Sequence, residues 1–377
     1  MSTSRTLLSY HDLTVEVETT PSEELMEHMH QTVMGQPGGL RYHHTNLEEK
    51  LRSGEENYFM YLRKSGKMLG SVGFCGKPTE TAGLKHDNWL IRYFSIKTPF
   101  QTVPKKRKEK ADLQDENKRS SVLGRFMQPI TADPSQLRED KQDSDQPAIL
   151  FAIIDQTNLR SMNFSVQMGL ETIGSLAGFS FSRMRPRRSE RIEAVKAHEQ
   201  TAILEQIRAY YKDFTLFYAD TIFKNNDYYV IKVGERMVAG LQIYPVEWKI
   251  VDFGGKLANR AISLLTRIPW VGKRVSPQWR ISFLAFDAIY CEPGYENDLY
   301  ELMEGVLERS GKYIAMMMID LETDLYAIFR NKKKLGILHK IMGTSHADIR
   351  VRFIHMPEEV KQQFYTKPTY IPTYDSS

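Results

Sequence analysis

The fold is decided by the stretch Pro147-Ala-Ile-Leu-Phe-Ala-Ile-Ile-Asp155-Gln-Thr-Asn158-Leu-Arg-Ser161-Met-Asn-Phe164-Ser165-Val-Gln-Met-Gly169-Leu170. Residues 148–154 are an uninterrupted apolar run of strand length, which predicts a strand buried on both faces. Asp155 and Asn158 then supply turn and cap chemistry, and Gly169 stands where a glycine commonly ends a helix. We therefore predict a buried strand, a capped turn and a short helix.

The composition is that of a folded protein large enough for two or three domains. The chain has 377 residues, and its 51 basic and 47 acidic residues leave a net charge of +4, which says little about partners. Cys75 and Cys291 are too few for a disulfide framework and fit a reducing compartment. The first residues lack a signal-peptide core, and no apolar run approaches the roughly 20 residues of a membrane span. We expect a soluble, cytoplasmic protein.

The residues before the opening stretch predict strands and helices that alternate along the chain. The hairpin is the clearest of these, because two alternating runs flank the turn residues Ser65 and Gly66. His43 and His44 fall within the second predicted helix. The predicted elements are a strand, two helices, a hairpin and a further strand, at 13–19, 21–34, 40–52, 58–74 and 89–96.

The second half of the chain repeats the pattern of the first. Residues 228–244 match the hairpin at 58–74, and residues 314–320 match the buried strand at 149–155. Two matches in the same order favour duplication of one α/β unit, with chance similarity of short apolar strands as the alternative. We predict domains at 1–185 and 186–377, each a mixed central sheet flanked by helices.

Several segments are basic or polar and lie outside this repeat. Residues 105–108, 185–191 and 256–280 are rich in lysine and arginine. We interpret them as a solvated loop, an interdomain linker and an amphipathic segment that packs at the domain interface or over a cleft. Membrane-surface binding is the alternative for the last segment. Neither aromatic interleaving nor a recognition motif accompanies residues 185–191, so we expect no nucleic acid partner. We expect the tail from Pro357 to be extended.

The order of elements in the first half resembles that of the GNAT superfamily of N-acetyltransferases. Members follow the fifth strand with an asparagine, a small residue three positions on, and a glycine before an aromatic residue. Here these are Asn158, Ser161 and Gly169, with Leu170 at the aromatic position. Their pyrophosphate loop resembles residues 119–124, with Val122 where a glycine is usual. At a helix N-terminus, backbone N–H groups and the helix dipole favour such an anion. The resemblance implies two tandem acetyltransferase-like domains.

The resemblance implies acetyl-CoA as co-substrate and no metal. Strand atoms of Phe94, Ser95 and Ile96 are expected to pair with the pantetheine, and Asn158 and Phe164 to contact its far end. The acidic residues near 292–301 would repel a pyrophosphate, so we expect the second domain to lack the loop. The expected pyrophosphate loop consists of Arg119, Ser120, Ser121, Val122, Leu123, Gly124 and Arg125.

The resemblance also implies direct attack by an amine on the thioester. Many members carry a tyrosine as proton donor seven positions beyond the asparagine, and here that position is Ser165. Tyr93 or a water is the alternative donor, and His43 or His44 is the candidate base because histidine has a suitable pKa. We predict an N-acyltransferase that acts on an amine of a small molecule or peptide. Two alternatives remain: a non-catalytic tandem module that binds CoA or a partner, and a different α/β protein with membrane or nucleic-acid contact through the basic segments. A homodimer is left open.

Overall fold

The computed structural model describes residues 4–35, 38–45, 47–52, 56–77, 79–96, 122–139, 145–255, 259–260, 264 and 280–376. Within these ranges the chain forms fifteen strands and ten α-helices. The loop residues Arg119, Ser120 and Ser121, the basic residues 105–108 and most of the basic segment 256–280 lie outside the described residues.

The strands are β1 (Arg5–Tyr10), β2 (Leu13–Glu18), β3 (Leu40–His44), β4 (Asn57–Lys64), β5 (Lys67–Gly76), β6 (Thr79–Thr81), β7 (Leu84–Ile96), β8 (Ala148–Asp155), β9 (Glu171–Ser182), β10 (Ile192–Ala194), β11 (Tyr228–Val233), β12 (Arg236–Phe253), β13 (Arg280–Cys291), β14 (Ile314–Asp320) and β15 (Ser345–Ile354). The helices are α1 (Glu23–Gln31), α2 (Leu47–Arg52), α3 (Val122–Ala132), α4 (Leu159–Gln167), α5 (Gln200–Tyr210), α6 (Glu296–Arg309), α7 (Asp324–Phe329), α8 (Ile337–Met342), α9 (Glu358–Thr366) and α10 (Thr373–Ser376).

The strands form one mixed sheet in the order β1-β2-β4-β5-β7-β8-β15-β9-β14-β13-β12-β11-β10, with β6 beside β7 and β3 beside β12. Most neighbours are antiparallel, but β7 pairs with β8, and β13 with β14, in parallel. The predicted mixed α/β sheet flanked by helices is therefore confirmed.

The strands of the two predicted domains interleave in this sheet. The last strand, β15, lies between β8 and β9 of the first half and pairs with both. Strand β3 of the first half pairs instead with β12 of the second, from Leu40 beside Phe253 to His44 beside Trp248. The two halves therefore share one hydrogen-bonded framework.

The opening stretch folds as predicted. Residues 148–155 form β8, whose Ile149, Leu150 and Phe151 are fully buried. Asn158 caps α4 by accepting the Ser161 N–H at 3.1 Å. The chain leaves α4 through Gly169 at φ +76°, a conformation that glycine adopts without steric cost.

Two predictions of local structure are wrong. Residues 40–52 form strand β3 and then the six-residue helix α2 rather than one helix, because β3 gains a ladder partner in β12. The tail from Pro357 is helical over Glu358–Thr366 rather than extended, because Val360 and Phe364 pack one face of α9 on the buried core.

Candidate acyl-CoA site and a filled second opening

The sheet opens between strands β7 and β8. These strands pair only where Asp87–Leu90 lies beside Ala148–Phe151. Beyond that point β7 continues along β5 as far as Ile96, while β8 continues along β15 as far as Asp155. The facing edges of β7 and β8 therefore separate and leave backbone groups that an extended ligand can pair with.

A bulge in β7 produces this divergence. The register with β5 moves from Gly73 opposite Arg92 to Ser71 opposite Ser95, which leaves an extra residue in β7. Tyr93 lies at φ +53°, a conformation that is rare for an aromatic residue. A side chain at Gly73 would lie 3.1 Å from the Tyr93 ring, so the glycine allows the bulged tyrosine to pack closely. A bulge bends its strand, which turns β7 away from β8.

The predicted pantetheine residues lie on both faces of the bulged strand. Phe94 stacks on Phe164 of α4, with ring centroids 4.7 Å apart and planes within 18°. Ser95 points to the opposite face, where its Oγ lies 2.8 Å from Nε2 of His28 on α1. The structure therefore brings Phe94, Ser95 and Phe164 to one end of the opening. Their contact with a ligand stays a prediction.

Helix α3 packs on the same face as the Phe94–Phe164 stack. Its residues Met127 and Ile130 are fully buried in the cluster that both aromatic rings contact. The helix begins at Val122, so residues 122–124 of the predicted loop form its first turn. The first N–H groups of an α-helix have no partner within the helix. Residues 122–124 therefore lie at a helix N-terminus, and their contact with a pyrophosphate stays a prediction.

The two candidate proton donors differ in their surroundings. Ser165 is buried, and its hydroxyl donates to the Met162 carbonyl at 2.7 Å. The Tyr93 hydroxyl is buried among residues of α1 and α2 and has no hydrogen-bond partner among the described residues. Burial raises the pKa of Tyr93 against the opposing effect of Arg92, so the phenol keeps its proton.

The two candidate histidines lie side by side on β3. Nδ1 of His43 is 3.0 Å from the Thr32 carbonyl. When Nδ1 carries the proton of a neutral ring and donates to that carbonyl, Nε2 has the free lone pair. His44 packs edge-on against Trp248. Burial, with further effects from Lys50 and Arg92, lowers its pKa to about 3 and keeps the ring neutral.

An ion pair that the sequence did not predict joins the tail to β7. Arg92, next to the bulged Tyr93, lies with Nη1 3.3 Å from Oδ1 of Asp375. Lys77 lies 3.9 Å from the other oxygen, to which Tyr218 also donates a short hydrogen bond. Burial alone would raise the pKa of Asp375, but Lys77 and Arg92 lower it, so the carboxylate is ionised.

The second half contains an opening of the same design. Strands β13 and β14 pair only over Leu284–Ala285 and Ala315–Met316. The register of β13 with β12 then shifts, and Ala288 adopts φ +44° in the place corresponding to Tyr93. The similarity of the bulges at Tyr93 and Ala288 supports the predicted duplication of one α/β unit.

The chain's own tail fills this second opening. Thr373 bridges the two strands, because its hydroxyl donates to the Phe286 carbonyl at 2.9 Å and accepts the Met318 N–H at 3.0 Å. The Asp287 carboxylate accepts the N–H groups of Thr373 and Tyr374. The space that remains beside the tail is about 30 Å³, room for only about two water molecules.

Helix α6, which follows the bulge at Ala288, begins among carboxylates. The Gly294 N–H before α6 donates to the Glu296 carboxylate at 3.0 Å, and Asp298 lies in the first turn. Arg191 binds Asp298 and Glu301 from outside. These carboxylates would repel a pyrophosphate, which supports the expectation that the second half has no CoA loop.

Protonation of Asp287 makes the free energy of unfolding of the protein depend on pH. Burial raises its pKa to about 7 from 3.8, against hydrogen bonds from Thr373 and Tyr374 that lower it. The folded state therefore holds a proton that the unfolded state loses, and stability falls as the pH rises from about 4 to 7, by on the order of 4 kcal/mol.

We expect Asp287→Asn to flatten this dependence, because an amide does not ionise. Urea unfolding at a series of pH values measures it. The control is Asp213→Asn, whose side chain is 67% exposed. An Asp287→Asn profile with the same slope as that control would contradict the assignment.

Comparisons with known proteins concern the fold. No family model matches the sequence, and no curated protein matches it. A structure of Saccharomyces cerevisiae N-myristoyltransferase with bound myristoyl-CoA and inhibitors has a TM-score of 0.58 at 8% identity, over 98% of this chain and 88% of that one. A second structure of that enzyme with myristoyl-CoA has a TM-score of 0.57 at 8% identity, over 94% and 82% of the two chains.

A GCN5-related N-acetyltransferase from Sphaerobacter thermophilus also matches, with a TM-score of 0.45 at 10% identity over 83% of this chain and 85% of that one. The chain shares the fold of the two N-myristoyltransferase structures over nearly its whole length. The described residues contain no helix that is long and apolar enough to span a membrane. They also contain no cluster of three potential metal ligands among His, Cys, Asp and Glu.

Proposed function

We propose that the protein is an N-acyltransferase that binds one acyl-CoA between β7 and β8 and transfers its acyl group to an amine of a small molecule or peptide. The observation that carries the proposal is the opening beside the Tyr93 bulge, with helix α3 and the Phe94–Phe164 stack on one face. Acetyl-CoA, the predicted donor, is the first to test, followed by longer acyl-CoA esters. The N-myristoyltransferase structure that shares this fold contains bound myristoyl-CoA, which supports an acyl-CoA as the class of donor.

The reaction needs little from the protein beyond positioning and proton transfer. The amine nitrogen attacks the thioester carbonyl carbon, the bond to sulfur breaks, the amine gives up a proton and the CoA thiolate takes one. Tyr93 is the donor that the geometry favours, because its hydroxyl is protonated and uncommitted beside the bulge, whereas the Ser165 hydroxyl donates to a carbonyl. His43 is the proposed base, with Nε2 as its acceptor atom.

Replacing Tyr93 with phenylalanine tests the assignment of the donor. We expect kcat to fall about 100-fold, the scale of one general acid, with little change in KM for acyl-CoA. The fold should tolerate the change, because the hydroxyl removed has no partner among the described residues. Release of CoA from acetyl-, octanoyl- and myristoyl-CoA over a panel of amines and peptides measures the turnover.

Ser165→Ala is the comparison that separates the two donors. If that variant loses activity and Tyr93→Phe does not, Ser165 is the donor and the Tyr93 assignment is wrong. Tight acyl-CoA binding without turnover of any amine would favour the alternative of a non-catalytic module. Absence of binding to every CoA ester would overturn the proposed function itself.

A further inference from the structure

A surface outside the proposed acyl-transfer site is strongly basic. Residues 183–188 contain four arginines, and residues 330–340 contain five lysines or arginines, with no acidic residue in either segment. The two segments are far apart in sequence but adjacent in the fold. The Ser182 N–H donates to the Leu335 carbonyl at 2.8 Å, and the Leu338 N–H donates to the Ser182 hydroxyl at 3.1 Å.

Both segments are held on the same helix, α6. Arg183 pairs with Glu304 at 2.9 Å, and Lys334 donates to the Asn297 side chain at 2.6 Å. Tyr300 lies between these two contacts on α6, and the Lys334 ammonium lies 4.8 Å from the centre of its ring. The basic residues of both segments therefore form one continuous surface.

Five basic side chains of these two segments are exposed. None of five basic residues has an ion-pair partner among the residues that the structure describes. Two large apolar side chains, Met184 at 43% exposure and Ile337 at 47%, lie among them. The five residues are Arg185, Arg187, Lys332, Lys333 and Lys340.

We propose that this basic surface docks the protein on an anionic lipid membrane. Clustered cations are attracted to negatively charged headgroups, and each lysine or arginine near such a surface contributes about 1 kcal/mol, or about fivefold in partitioning. Exposed apolar side chains among the cations suit insertion at the boundary between headgroups and acyl chains. A nucleic acid backbone offers the charge but no apolar phase for Met184 and Ile337, so the lipid surface is the better fit.

Binding of the full chain to lipid vesicles tests the proposal independently of acyl transfer. The probe is a vesicle of phosphatidylserine mixed into phosphatidylcholine, compared with phosphatidylcholine alone. We expect binding to the anionic vesicles only, and weaker binding at about 0.5 M than at about 0.1 M salt. The double variant Lys332→Gln/Lys333→Gln should bind about 25-fold more weakly, because it loses two charges.

The matched control is Lys64→Gln/Lys67→Gln, which removes two exposed lysines from the β4–β5 turn and should bind as the wild type does. Ile337→Ser should weaken binding several-fold while leaving its dependence on salt unchanged. Equal binding to neutral and anionic vesicles, or equal effects of the two double variants, would overturn the proposal. Binding to an RNA or DNA duplex without binding to vesicles would also overturn it and would assign the surface to nucleic acid.

Discussion

Replacing Gly124 with proline is expected to weaken acyl-CoA binding about tenfold or more. Gly124 is the third residue of α3, a position whose backbone N–H has no partner within a helix and which we propose as part of the pyrophosphate site. Proline removes that donor, and a hydrogen bond to a charged group contributes about 1.5–3 kcal/mol. The proline ring is tolerated best in the first turn of a helix, so the fold should survive.

Gly124→Ala is the matched control for this change. Alanine keeps the N–H and favours the helix by up to about 1 kcal/mol, so it separates loss of the donor from any change of helix stability. Calorimetric titration with acetyl-CoA and a longer acyl-CoA measures the two dissociation constants. Equal affinities for Gly124→Pro and Gly124→Ala would mean that the start of α3 does not bind the pyrophosphate.

Breaking the ion pair between Arg92 and Asp375 is expected to destabilise the protein by about 3 kcal/mol. Both side chains are almost completely buried, and removal of one partner leaves a buried charge with poorer compensation. We expect Arg92→Met and Asp375→Asn each to lower the free energy of unfolding by about this amount. The double variant should lose less than the sum of the two, with a coupling of at least about 1 kcal/mol.

The surface pair Arg52–Glu48 provides the control. Its side chains are 56% and 62% exposed, so Arg52→Met should change stability by less than about 0.5 kcal/mol. Urea unfolding of the wild type, the two single variants and the double variant gives the double-mutant cycle. Unfolding of Arg52→Met gives the control. If Arg92→Met costs no more than Arg52→Met, or if the two changes at the buried pair are additive, the tail is not fixed to β7 through this contact.

Local signals in the sequence were enough to predict the elements around the first opening. The apolar run of β8, the Asn158 cap and Gly169 each act over a few residues, and all three have the predicted conformation. The β4–β5 hairpin follows in the same way from Ser65 and Gly66, which both adopt positive φ. These predictions succeeded because they depend on short runs of neighbouring residues and on the backbone preferences of turn and cap residues.

The features that the sequence did not predict depend on contacts between distant residues. Strand β3 forms because Leu40–His44 meets β12, some 200 residues later, and nothing in its own short sequence indicates this pairing. The bulge at Tyr93 requires Gly73 on the neighbouring strand, a contact that only the folded sheet provides. The role of Arg92 likewise depends on the position of Asp375 in the folded tail.

The central claim is that the first opening binds an acyl-CoA while the second is filled by the tail. It is tested most directly by the stoichiometry of a calorimetric titration of the full chain with acyl-CoA. The claim predicts one molecule bound per chain, with affinity that falls in Gly124→Pro. Binding of two molecules per chain would show that the second opening is free, and absence of binding to acetyl-CoA and to longer acyl-CoA esters would contradict the claim altogether.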